Sequence, residues 1–405
     1  MLRKIPIEDV RPGMFVTSDA SAGLDTPLLY VADKMLDDDE DIADIRANGY
    51  TEALIDLSKS EEQWMLLYGG SNEQVLKNLL EKNPPAELLA PTLALAEELP
   101  KAKSIYSQAL HTAQQVMEAF RNNGKIDLDA GHNAVENIMD SVTRNENALL
   151  ALSKLRTKDD YTFSHCINVA TTAIIFARHL GYDEDTQHIV GLAGFFHDLG
   201  KMEIPLEILN SPKRLTPEEF DIMRSHPVLG HEKLKKIREL PSLVVRGALE
   251  HHERVNGTGY PDRKKDEEIS LAGKILAIVD VYDALSSRRV YKEAMPPHTA
   301  LGLLYGMRSK DFVPELVDRF IRCIGIYPAG SLVKLNSGHL CVVLQVDPAT
   351  PIKPQILVVR DAAGKNVQPK SIDLKAHSSI QIVDCFDPAR YKIDSLAILE
   401  SYAQH

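Results

Sequence analysis

No CxxC pair occurs among the four cysteines, Cys166, Cys323, Cys341 and Cys385, which are scattered along the chain. That spacing supplies neither a disulfide framework nor a zinc ribbon, and it fits a reducing compartment. No stretch approaches the roughly 18 consecutive apolar residues that span a bilayer. Arg3 and Lys4 open the N-terminus, but acid and proline follow before any apolar run, so it does not read as a signal peptide. A cytoplasmic protein without a membrane span is expected. Positive charge is also in deficit. A formal net charge of −12 argues against a broad grip on a nucleic acid polymer. It leaves room for a small anionic ligand, because bound cations reverse the local sign. Internal repeats and low-complexity tracts are absent as well.

What is present reads as a multi-domain, mainly α chain. At 405 residues, two or three domains are expected, each with its own core. Residues 1–70 read as a small N-terminal α/β unit of regulatory type. In it Ile5–Val16 alternates like strand around the turn pair Pro12-Gly13, Asp38–Asn48 is a short helix, and Thr51–Leu57 is a strand. Gly69-Gly70-Ser71 is the expected hinge. Residues 71–103 read as a connector, since their helical spacing is cut by Pro84-Pro85, Pro91 and Pro100. Residues 104–326 are helical in pattern. Asp160–Leu180 is an amphipathic helix, Thr216-Pro217-Glu218-Glu219 is a capping box, and Leu271–Leu285 and Pro314–Ile324 are further helices. Residues 327–405 form a β-rich C-terminal tail, short and antiparallel, with strands at Leu332–Leu335, Leu340–Val346, Gln355–Val359 and Ile380–Val383.

Of the 14 histidines, a subset is grouped. His197-Asp198 follow the apolar run Leu192–Phe196 and precede Leu199-Gly200-Lys201. His165 lies one helix earlier, His226 one helix later, and His251-His252 end the next. Asp280 sits among Ile275, Ile278 and Val279 on an apolar helix, where a carboxylate needs a partner. Each residue alone could be a cap or a satisfied core group. Burying the whole set in one bundle costs several kcal/mol unless something compensates, and divalent cations would. Mixed imidazole and carboxylate donors suit iron, manganese, nickel or zinc.

These motifs, with His226-Pro227, His251-His252-Glu253-Arg254, Asn256–Pro261 and Asp280-Val-Tyr-Asp283, resemble the HD-GYP family, a branch of the HD-domain phosphohydrolases. The resemblance covers roughly Ser104 to Gly325 and keeps order and spacing, and the region before Ser71 resembles the small domain often found ahead of HD-GYP domains. It implies an HD-type helical bundle and a phosphodiesterase that opens cyclic di-GMP to linear pGpG, and often onward to GMP. It also implies two divalent metal ions per chain, iron or manganese first. Asp198 would bridge them, and His165, His197, His226, His251, His252 and Asp280 would complete the two shells. A bridging hydroxide would be the nucleophile in an in-line displacement. Lys201 would join Asp198 as a catalytic residue, donating to a phosphate oxygen or to the leaving 3′ oxygen.

By the same resemblance Gly259, Tyr260, Asp283, Arg289 and Lys292 would contact substrate. The Gly-Tyr-Pro loop would also meet a protein partner, a diguanylate cyclase domain protein, and a homodimer is a further partner candidate. Two departures stand out. Tyr161 occupies a position where some family members carry a glutamate for a third metal, so two metals are expected. Cys166 follows His165 where serine is common; a small buried apolar side chain is the favoured reading over a redox-sensitive thiol. Two other functions stay open: a catalytically silent cyclic-dinucleotide sensor, and a general HD nucleotidase. The intact donor set argues against the first and the Asn256–Pro261 segment against the second. Sequence leaves the metal, the choice between cyclic di-GMP and a mixed cyclic GMP-AMP, and the oligomeric state undetermined.

Overall fold

The computed structural model describes residues 2–7, 10–18, 29–30, 32–48, 50–60, 76, 91–153, 161–211, 213, 215–287, 295–308, 310–347, 350–386 and 388–404. The expected hinge at Gly69-Gly70-Ser71, and Arg289 and Lys292, lie outside the described residues.

The N-terminal unit is a mixed sheet with one helix. Strands β1 (Leu2–Pro6), β2 (Phe15–Val16), β3 (Leu29–Tyr30), β4 (Lys34–Met35) and β5 (Glu52–Asp56) surround a pairing of β1 with β5, and β5 also meets β2 and, in parallel, β3. Helix α1 (Asp39–Ala47) starts where the Asp38 carboxylate accepts from the Glu40 and Asp41 amides. Ile5, Met14, Val16, Ile42, Ile45 and Ile55 close a small core of their own.

The helical body begins earlier than proline placement suggested. Helix α2 (Leu95–Asn123) runs through Pro100. An internal proline loses one backbone bond and strains the preceding turn, yet here Leu95, Leu99, Ala102 and Tyr106 are buried on one face. The Glu98 carboxylate, fully buried, accepts from Arg144 and Ser141. Tertiary packing overrides the local penalty. Helix α3 (Leu128–Leu152) pairs with α2, and α4 (Tyr161–His179) packs on α5 (Glu184–Phe196). From His165 to Ala177 every residue of α4 is buried. It is therefore a central helix, buried on nearly every side, instead of the amphipathic helix expected over Asp160–Leu180.

A 3₁₀ turn at Leu199–Glu203 follows, then the short helices α6 (Leu206–Leu209) and α7 (Pro217–Met223). At the start of α7 the capping box forms as read: Thr216 accepts from the Glu219 amide and Glu219 from the Thr216 amide. Helix α8 (His226–Leu234) packs on the 3₁₀ turn and on α9 (Ser242–Glu250), α9 packs on α5, α10 (Leu271–Ser286) packs on α4 and α5, and α11 (Pro297–Met307) and α12 (Pro314–Ile324) complete the layer.

Beyond it, β6 (Leu332–Leu335), β7 (Leu340–Gln345), β8 (Gln355–Arg360), β9 (Asn366–Asp373) and β10 (Ile382–Phe386) form an antiparallel sheet ordered β10-β6-β7-β8-β9. Strand β9 was not legible. Its sequence is polar and contains Pro369, features that an edge strand tolerates because one side of its backbone is unpaired. The sheet shares its apolar core with the helices, and the Val346 amide donates to Asn147 of α3 at 3.1 Å. Helix α13 (Ser395–Ala403) returns to pack on α2.

Candidate metal centre

The seven residues grouped in the sequence come from helix ends and from two central helices. His165 is on α4, His197 caps α5, Asp198 opens the 3₁₀ turn, and His226 is the first residue of α8. His251 caps α9 and His252 follows, while Asp280 is on α10. Two glycines permit the convergence. A Cβ on Gly194 would stand 2.8 Å from the Ala170 Cα, so α5 meets the backbone of α4 directly. A Cβ on Gly200 would lie 1.9 Å from the His226 carbonyl, so the Asp198 turn rests on α8 only because residue 200 has no side chain.

Three imidazoles are oriented alike. The Nδ1–H groups of His197, His226 and His251 donate to the Gly194, Met223 and Ala248 carbonyls at 2.7, 2.8 and 2.9 Å. Each Nε2 is thereby left as a lone pair turned inward. His165 is set differently: its Nδ1–H donates to Asp283 at 2.7 Å, and its Nε2 lies 3.0 Å from Asp280.

Asp198 occupies the middle. One carboxylate oxygen is 3.3 Å from His226 Nε2 and 3.9 Å from His251 Nε2. The other is 3.3 Å from His197 Nε2, 3.6 Å from His165 Nε2 and 2.5 Å from the Lys201 ammonium that donates to it. His252 Nδ1 stands 3.8 Å from Asp280.

Burial sets the electrostatics. It opposes ionisation of Asp198, but neighbouring positive charge, including the Lys201 ammonium, overcomes it and holds the carboxyl well below its usual range. Burial and the neighbouring His252, His197 and His226 hold His251 neutral, far below the ordinary imidazole value. His165 is the exception. Burial disfavours its cation, yet Asp280 and Asp283 outweigh that and raise its pKa to about 9.

The arrangement fits divalent cations. His226, His251 and His252 form one group of donors, His165, His197 and Asp280 a second, and His197, Asp198 and His251 a third; within each, the donor atoms lie within 4.8 Å of one another. Together the groups contain the seven residues. Among the described residues, buried His197 Nε2 and Asp198 Oδ1 have no hydrogen-bond partner. Such atoms cost free energy unless a ligand takes them.

The remaining candidates fall in different places. Lys201 is on Asp198. Asp283 is buried behind His165, with its second oxygen accepting from Asn168 at 3.2 Å. The Tyr260 ring stacks on His252 with centroids 4.7 Å apart. A Cβ on Gly259 would meet the Arg254 amide at 2.4 Å, so the chain packs there too closely to admit a side chain. Cys166 is fully buried, and burial with the nearby Asp198 pushes its thiol well up. The side chain of Tyr161 lies outside the described residues.

Sequence reasoning missed the groups behind the cluster. Tyr106 donates to Asn168 at 2.9 Å, which in turn donates to Asp283. Asn168 is three residues after His165, on the same helix face, and that spacing was the available signal. Buried Glu253 accepts from the Asp262 and Lys264 amides and so pins the glycine-rich loop.

Comparison with known proteins identifies the domains. Residues 137–316 match the HD domain, residues 2–130 a domain of unknown function (DUF3391), and residues 332–394 a KOW domain associated with the HD domain. A cyclic di-GMP phosphodiesterase of Pseudomonas aeruginosa is 35% identical over 395 residues, covering 96% of this chain and 93% of the relative. A cyclic di-GMP phosphodiesterase response regulator of Xanthomonas campestris is 32% identical over 253 residues, 61% of each. A 3′3′-cGAMP-specific phosphodiesterase of Vibrio cholerae is 34% identical over 158 residues, 39% of this chain and 30% of the relative. The chain is an enzyme of the HD-GYP family, the phosphodiesterase branch of the HD-domain proteins.

Proposed function

We propose that the protein hydrolyses cyclic di-GMP to linear pGpG, and pGpG onward to GMP, with two divalent cations held by His165, His197, Asp198, His226, His251, His252 and Asp280. The observation that carries this reading is the pair of orphaned buried atoms, His197 Nε2 and Asp198 Oδ1, inside a closed set of imidazoles and carboxylates. When bound, such cations make water a competent nucleophile at neutral pH and neutralise charge on phosphoryl oxygens. Thiolates are absent from the donor set, which favours iron or manganese, with nickel or zinc as the alternatives.

The chain's own groups supply the rest. Asp198, between the donor groups, is the shared carboxylate of the site. Asp283 holds His165 in the tautomer that presents Nε2, so it is read here as a positioning residue instead of a substrate contact. Lys201, whose ammonium is on Asp198, carries the proton that the leaving 3′ oxygen takes. Water adds across one P–O3′ bond, leaving a 3′ hydroxyl on one nucleoside and a terminal 5′ phosphate on the other. The N-terminal sheet unit, with its separate core, is assigned a regulatory role.

The test is product chromatography with anaerobically purified protein and ferrous or manganous ion. Cyclic di-GMP should yield the linear dinucleotide, faster than any mononucleotide is dephosphorylated and faster than 3′3′-cGAMP is opened. Binding without cleavage under every metal would identify a sensor, and faster mononucleotide turnover would identify a nucleotidase.

A further inference from the structure

Beside the metal cluster, helix α7 and the glycine-rich loop bring a cation between two aromatic rings. The Arg224 guanidinium lies over Tyr260, 4.6 Å from the ring centroid, and 5.9 Å from the centroid of Phe220. Tyr260 is itself stacked on His252 of the cluster. A continuous ladder, His252 to Tyr260 to Arg224 to Phe220, therefore runs outward from the site. Its inner part is fixed, since Glu253 pins the loop that carries Tyr260.

Among the described residues, two other cations beside the site are already engaged, while Arg289 and Lys292, which the resemblance assigns to substrate, lie outside them. Lys201 donates to Asp198, and Arg254 donates to the His251 and Glu253 carbonyls. Arg224 differs. Among the described residues its guanidinium has no acceptor at hydrogen-bond distance; Asp221 stands 3.8 Å away and its side chain is 77% exposed. A cation–π contact fixes a guanidinium in place but leaves its N–H donors unused. Phe220, at the outer end, is 50% exposed.

A cyclic dinucleotide carries two phosphates, and the metals hold only the one being cleaved. The second must be matched within a chain of net charge −12. We propose that Arg224 holds this second phosphate, with Tyr260 as the platform that orients it and Phe220 as its outer wall. This rests on the cyclic-dinucleotide reading above. A guanidinium with free donors beside an aromatic platform is well suited to a phosphodiester, which it meets by two parallel charge-assisted hydrogen bonds.

The test compares cyclic di-GMP with bis(p-nitrophenyl) phosphate, a diester with a single phosphate, on manganese-loaded protein. Arg224→Ala should raise KM for cyclic di-GMP about ten- to a hundredfold, the range lost with a charge-assisted contact, and change kcat less than about threefold. Arg224→Lys should recover most of that loss, since lysine binds phosphate as a point charge. Neither variant should alter the metal content or the one-phosphate rate. An unchanged KM in Arg224→Ala would overturn the proposal. So would an equal loss on both substrates, which would mark a structural role, or failure of lysine to rescue, which would point to the guanine edge. Wild-type protein that cleaves the one-phosphate diester but never cyclic di-GMP would instead overturn the reading on which the proposal rests.

Discussion

Asp283→Asn separates two roles that a carboxylate in this position could play. Asp283 accepts from His165 Nδ1–H at 2.7 Å and from Asn168 at 3.2 Å. The asparagine keeps shape and volume but removes the charge. Its amide oxygen can still take one of these donors, and its NH₂ group must then face the other. A hydrogen bond to a charged group is worth about 1.5–3 kcal/mol. At about 1.4 kcal/mol per tenfold, that is roughly a ten- to hundredfold loss of metal affinity, the range found when such supporting partners are removed. The assay is competition of manganous ion against a chromophoric chelator, with circular dichroism to establish that the helices persist. Substrate KM measured at saturating metal should stay within about twofold. The opposite pattern, unchanged metal affinity with a raised KM, would refute the positioning role and return Asp283 to the substrate contacts expected from sequence.

Three further outcomes follow from particular contacts. Gly200→Ala puts a Cβ 1.9 Å from the His226 carbonyl, where backbone must shift; denaturant titration should show a loss of at least about 1–3 kcal/mol, together with metal loss. A chain truncated to begin at Ser104 loses Glu98, the buried partner of Arg144, with Leu95 and Leu99. From the lost burial of the two leucines it should be about 3–6 kcal/mol less stable in denaturant than one beginning at Pro91, and equal stability would show that the first turns of α2 contribute nothing. His165 has a metal-free pKa of about 9, above the working pH, so it is protonated before a cation binds. Metal binding must displace that proton, and affinity should rise about tenfold per pH unit between pH 7 and 8.5. Calorimetry in buffers of different ionisation enthalpy should register the released proton, and a flat profile over that range would refute it.

The clustering of imidazoles and carboxylates was legible because its chemistry is written in residue types that a helical core does not otherwise keep. An imidazole pair at His251-His252 and a carboxylate at Asp280 amid Ile275 and Val279 already call for a compensating charge. The C-terminal sheet was legible where β-branched runs form its buried strands, and it failed at β9, whose polar residues and Pro369 are compatible with an edge but not with a sequence pattern for strand. Pro100 misled for the converse reason: its local penalty is visible in sequence, whereas the ion pair of buried Glu98 with Arg144, which ties α2 to α3, spans 46 residues. The same distance problem hid the roles of Gly200 and Gly259. Each is required by a close approach of backbone that only the folded chain defines. Asp283 was found through the family resemblance, but a sequence motif cannot say whether a side chain meets substrate or the back of a neighbouring imidazole.

The account rests on Asp198 as the shared carboxylate of a hydrolytic metal site. The most direct test is metal content and cyclic di-GMP turnover, measured together on the 405-residue protein and its Asp198→Ala variant after anaerobic purification. The expected result is two metals per chain and a linear dinucleotide product for the wild type. The variant should show an unaltered helical spectrum, loss of one or both metals and no turnover. Full turnover in Asp198→Ala, or a wild-type protein that holds two metals and binds cyclic di-GMP without opening it, would contradict it.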